Sequence, residues 1–184
     1  MRAYCTGCGP LPRRRKADTL QACGGGSPGA ESMPGSSMRI LVLIHLLAVI
    51  VWIGGMFFAH VCLRPVAAEQ LPPPQRLPLL SAVLGRFFNA VSIAIVAILA
   101  TGLWRFGELS GLPIPWQWHA MAGIGALMII IYLVILLNYY PRLKAAVAAQ
   151  DWPAGGAAMN VIRPLVLVNL NLGVLTVAVA LLGG

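Results

Sequence analysis

Of the 184 residues in this chain, 59% are hydrophobic and only 10% are charged, with a mean hydropathy of +0.82. A soluble domain carries about 25% charged residues, so there is too little polar side chain to cover a water-facing surface, and a soluble globular fold is excluded. Thirteen Lys and Arg oppose five Asp and Glu, but they lie in the N-terminal tail and between apolar runs, which suits anionic lipid headgroups and excludes a nucleic-acid groove.

Residues 1–37 lack apolar periodicity and are rich in Gly, Pro, Ser and Arg, which predicts a disordered tail. Arg13-Arg14-Arg15-Lys16 and then Leu20-Gln21-Ala22-Cys23 have the charge and the cysteine of a secretion signal. The apolar stretch that must separate them is missing, since Ala17-Asp18-Thr19 is not one. Cys5-Thr6-Gly7-Cys8 is a lone CxxC, and Cys62 stands apart at the end of the first apolar run, so the cysteines do not form a disulfide framework. Met33 and Met38 directly precede that run, and translation from there is expected as readily as from Met1.

From residue 38 onward four apolar runs follow, at about 40–62, 79–104, 116–140 and 161–182. Each is near or above the roughly 20 residues that cross a hydrocarbon core of about 30 Å. Trp104, Trp116 and Trp118 mark one interface, Tyr139 and Tyr140 the other. Short, Pro- and Gly-rich connections make successive spans antiparallel. The sequence therefore predicts an all-α, four-helix transmembrane bundle over residues 38–184, behind a disordered N-terminal tail. Arg64, Arg76, Arg86, Arg142, Lys144 and Arg163 fall on one side of the membrane, and Arg39 and Arg105 on the other. Counted from Met38, this asymmetry places both termini outside the cytoplasm. Adding Arg2, Arg13, Arg14, Arg15 and Lys16 to the second side makes the count seven against six and removes it.

Polar groups within a bilayer are costly, so each needs an account. His45 stands about a turn into the first run and His119 about a turn into the third. Those spans run in the same direction, so the two imidazoles are expected at similar depth in the outward leaflet. His60 falls about 22 Å further along its helix, in the opposite leaflet. Two imidazoles at one depth can ligate copper or the iron of a haem; the alternative is that each bonds to a neighbouring helix or reaches the headgroups. Met121 either adds a soft thioether beside His119 or packs. Trp52, seven residues after His45, is expected inside the bundle near mid-membrane, where it can face a flat ligand. Arg86 near the cytoplasmic end of the second span can snorkel or neutralise an acidic group such as a porphyrin propionate. Asn89, Asn169 and Asn171 are expected to bond between helices, and Gly54-Gly55 and Gly123/Ala126 to let backbones approach. Without a nucleophile–base pair, paired carboxylates or a phosphate loop, hydrolysis and phosphoryl transfer are unsupported. Glu69, Glu108 and Asp151, the acids beyond the tail, are all expected in loops.

The run Ile44-His45-Leu46-Leu47-Ala48-Val49-Ile50-Val51-Trp52-Ile53-Gly54-Gly55-Met56-Phe57-Phe58 has a histidine followed seven residues later by W-x-G-G. It resembles the opening helix of copper-resistance protein D (CopD) family membrane domains. The likeness continues through Leu84-Gly85-Arg86-Phe87-Phe88, Gly102 and residues 163–173, and spans nearly all of 38–184. It implies an inner-membrane bundle for copper uptake or tolerance, working with a periplasmic copper-binding protein. The outward copper site would then be made by His45 and His119, with Met121. A more distant similarity is to HemJ-type protoporphyrinogen oxidases, four-span proteins with a helix-one histidine. Trp116-Gln117-Trp118-His119-Ala120-Met121 keeps the tryptophan and histidine of their third helix but has Met121 roughly where their lysine falls. That likeness implies haem b between spans one and three, with His45 and His119 axial and Trp52 and Arg86 beside the porphyrin. A cofactor-free structural or assembly subunit, whose histidines bridge helices, is the third reading. The leading expectation is a protein that binds or moves copper, more a carrier than an enzyme.

Overall fold

The computed structural model describes residues 34–108 and 115–183. Four helices hold nearly all of them: α1 (Gly35–Gln70), α2 (Pro73–Gly107), α3 (Trp116–Ala148) and α4 (Trp152–Leu182), each long and apolar enough to cross a membrane. No strand occurs among the described residues. The protein is thus an all-α, multi-pass membrane protein, as its hydropathy predicts. The outer surface suits lipid: only 17–22% of each span's apolar window is buried inside the protein, and large side chains such as Ile50, Ile93, Val96 and Leu137 point outward. The candidate starts at Met1 and Met33, and most of the tail, lie outside the described residues. The first helical segment begins at Pro34, so residues 34–37, which composition assigns to the tail, belong to it.

The helices run well past the apolar stretches and through prolines that read as loop markers in the sequence. Pro65 follows a π-helical segment at Phe58–Leu63, and Pro141 follows another at Ile135–Tyr139. Proline has no N–H, and its ring collides with the carbonyl four residues back. A π turn widens the preceding helix and resets that register, so the chain passes the proline without breaking. Pro78 and Pro164 lie within α2 and α4. The turn after α1 shrinks to residues 71–72 and the turn after α3 to 149–151. In the latter, Gln150 has φ 56°. The Asp151 N–H reaches the Ala146 carbonyl at 2.9 Å and the Gln150 N–H that of Val147 at 3.2 Å, the Schellman pattern of a helix end. The Asp151 carboxylate then accepts from the Ala154 N–H at 3.0 Å and caps α4. This loop acid turns one helix into the next.

The core lies where α1 and α2 lean on the α3–α4 pair. Trp52 is 4% exposed and meets Tyr132 edge-on, with ring centroids 6.3 Å apart. Phe88 meets the same tyrosine at 5.7 Å and Tyr140 at 5.1 Å. The buried Tyr132 hydroxyl donates to the Phe88 carbonyl at 3.1 Å and lies 2.7 Å from the Ser92 hydroxyl. Gly55 lies under the Phe87 ring, and Gly173 under Ile53, where a Cβ would fall 2.9 Å from Cγ1. Gly54 and Gly123 face open space, so of the glycines expected at helix contacts only Gly55 makes one. Of the three asparagines, Asn89 is exposed and Asn171 turns back on the Leu167 carbonyl of its own helix at 2.9 Å. Only Asn169 crosses, from α4 to the Met56 sulfur of α1 at 3.7 Å.

Candidate metal site at the histidine end

α1 and α3 begin, and α2 finishes, at the same end of the bundle. There the half-buried His45 of α1 places Nδ1 2.8 Å from the Thr101 hydroxyl of α2. The same hydroxyl donates back to its own helix, 2.7 Å from the Ala97 carbonyl and 3.1 Å from that of Ile98, as threonines in apolar helices do. A hydroxyl has one proton to give. With that proton on the backbone, the bond to His45 requires the imidazole proton on Nδ1. The tautomer assigned by this network leaves a bare lone pair on Nε2. A histidine whose other nitrogen is tied to an oxygen in this way has the arrangement found in metal ligands.

His119, in the first turn of α3, is exposed and lies against Phe106 of α2, ring centroids 6.3 Å apart. Phe106 also meets Trp118 edge-on at 6.0 Å, and the Arg105 guanidinium stands 5.5 Å over the Trp118 ring. Arg105 Nη1 donates to the Met38 sulfur at 3.2 Å. Thr101 and Phe106 are five residues apart, about 7.5 Å along α2, so His45 and His119 attach to one end of that helix, His119 nearer the surface. Among the described residues no three His, Cys, Asp or Glu side chains gather as a metal site. A metal held here would draw on imidazole nitrogen and thioether sulfur. The half-buried Met121 follows His119 by two residues. Met38, which sequence reasoning passed over, lies two helical turns before His45 on the same face; its seven-residue spacing was the available signal.

Trp52 and Arg86 are placed elsewhere. Tyr132 already occupies the edge contact of Trp52, leaving no slot for a flat ligand at that contact. Arg86 is exposed and fifteen residues from Thr101, about 22 Å along α2, so it is not brought to the histidines. About 16 Å below His45, Asn169 is 2% exposed, its Nδ2 is on the Met56 sulfur, and its Oδ1 is buried without a hydrogen-bond partner among the described residues.

Comparison with known families matches residues 81–182 to the family model of Copper resistance protein D. This is more than half of the chain. The protein belongs to the CopD family. The matched stretch runs from α2 to the end of α4 and holds Thr101, Phe106, His119 and Met121. His45 and the W-x-G-G run of α1, on which the resemblance in the sequence leaned, lie outside it. The likeness to HemJ-type oxidases gains no support from this comparison. No curated protein and no solved structure matches the chain.

Proposed function

We propose that this CopD-family protein binds copper at the histidine end of its bundle and moves it across the membrane. The observation that carries the reading is the His45–Thr101 bond, which ties Nδ1 to an oxygen and would leave Nε2 to take a metal. The donors nearby suit the ion: thioethers select copper(I), and imidazole accepts copper in either state. Met56 and Asn169 supply a second set deeper in the bundle, a soft sulfur beside a buried oxygen with no hydrogen-bond partner. A buried acceptor without a partner costs about 1–3 kcal/mol, which a passing cation or its water would offset. Counted from Met38, the excess of Arg and Lys at the opposite end favours that end as cytoplasmic. The histidine end would then face the periplasm across the inner membrane, where a soluble copper-binding protein can deliver its cargo.

The test is metal content and visible spectrum of the protein purified in mild detergent after expression with copper and haem precursor supplied. Copper should co-purify, disappear in His45→Ala and fall in Thr101→Val. A Soret band lost in His45→Ala would replace copper by haem. A colourless, metal-free protein would leave a structural or assembly subunit.

A further inference from the structure

At the other end of the bundle α1, α2 and α4 open into a cleft of about 340 Å³ lined by Arg64, Arg76, Asn160 and Arg163, with Leu77 and Leu80 in its walls. An adjoining cleft of about 380 Å³ shares Asn160 and Arg163 and adds His60. Arg64 and Arg76 are half-buried. The charges of Arg163 and Arg76 act on Arg64, and those of Arg64 and Arg163 act on His60. Other basic side chains have found a partner: Arg105 stands over Trp118, Arg142 over Tyr139 and Lys144 over Tyr140. Among the described residues, Arg64, Arg76 and Arg163 form no ion pair with a carboxylate. Three guanidinium groups from three helices thus line one cleft beside an apolar wall, Arg64 and Arg76 half-buried and Arg163 exposed, and like charges so gathered repel one another.

We propose that this cleft is a binding site for a phosphate-bearing anion, supplied in the membrane by the headgroup of an anionic phospholipid. Guanidinium groups match phosphate oxygens in paired hydrogen bonds, and the Asn160 amide adds a neutral donor. Basic pockets between membrane helices take acidic headgroups for this reason. Leu77 and Leu80 offer an acyl chain the surface that a free phosphate would leave unused, which favours the lipid. The site shares no residue with the histidine end and does not depend on what is bound there.

The full chain in a non-ionic detergent is mixed with phosphatidylglycerol, phosphatidylcholine or inorganic phosphate, and bound lipid is counted by native mass spectrometry alongside thermal unfolding. Phosphatidylglycerol should stay bound and raise the unfolding temperature, and phosphatidylcholine should do neither. Arg64→Gln and Arg163→Gln should each weaken the anionic lipid about fivefold. Arg142→Gln, which removes the same charge at the same end, should change little. An equal loss in Arg142→Gln, or binding unchanged in the Arg64/Arg76/Arg163 triple glutamine variant, overturns the site. If inorganic phosphate gives the arginine-dependent shift and lipid does not, the site stands with a free anion as its ligand. If neither does, it falls. A measurement on the unaltered protein avoids variants that fail to fold: phenylglyoxal labelling of Arg64 and Arg163 should slow with phosphatidylglycerol and not with phosphatidylcholine. Equal labelling in the two lipids overturns the proposal.

Discussion

The two ends of this bundle treat polar side chains in opposite ways. At the histidine end the polar groups of the candidate site are met from within: His45 by Thr101, Thr101 by the carbonyls of its own helix, Arg105 by Trp118 and Met38, and the His119 ring by Phe106. At the arginine end Arg64, Arg76 and Arg163 line one cleft whose other polar side chain is Asn160. Directional hydrogen bonds fix a tautomer and hold one lone pair ready, which suits a small cation that must be recognised and released. Gathered like charges fix no geometry, and their repulsion favours a counter-charge from outside. Between the ends, an apolar and aromatic core keeps the two from sharing any side chain.

The largest effect should separate the ends by ligand. His45→Ala should abolish copper retention and leave phosphatidylglycerol binding intact, and loss of both together would break the contrast. Thr101→Val keeps the shape but removes the acceptor for Nδ1–H, so copper affinity should fall about 10- to 100-fold. Thr101→Ser should restore most of it; a serine variant as weak as the valine one would show that packing, not the hydrogen bond, supports His45.

The core that divides the ends comes next. Gly173→Leu must displace Ile53 and Met128 and should destabilise by about 1–3 kcal/mol through overpacking, read as a lower unfolding temperature in detergent. The same change at Gly54, which faces open space, should do little. Tyr132→Phe removes the hydrogen bonds to the Phe88 carbonyl and the Ser92 hydroxyl across the core and should cost about 1–3 kcal/mol, with copper and lipid binding unchanged. The smallest effect should be a gain: Gln150→Gly relieves a left-handed backbone and should stabilise by about 1 kcal/mol or less. A loss there would mean that the Gln150 side chain does something its backbone does not show.

Some of these features were legible from residue order and some were not. The seven-residue step from His45 to Trp52 correctly placed the tryptophan inside the bundle, because a period of 3.6 puts both on one face. It said nothing of Tyr132, eighty residues away in the chain, which takes the contact proposed for a flat ligand. Asn169 and Asn171 look alike in the sequence, yet 200° of helix rotation separates them, and only one points at another helix. The prolines misled for a definite reason. Proline forbids an ordinary α-helical turn, but residue order does not reveal that a π turn two residues upstream of Pro65 and of Pro141 absorbs the cost.

What the sequence by itself determined is the four-span helical bundle. An apolar run of about 20 residues in hydrocarbon must satisfy its own backbone, and a helix does this locally. Hydropathy, a property of residue order, therefore suffices. The tertiary structure decided which polar groups meet. Arg64, Arg76 and Arg163 served in the sequence only to weigh one side of the membrane against the other. Their shared cleft, like the bond from His45 to a threonine 56 residues away, exists because helices distant in sequence pack side by side, and no local pattern encodes that neighbourhood.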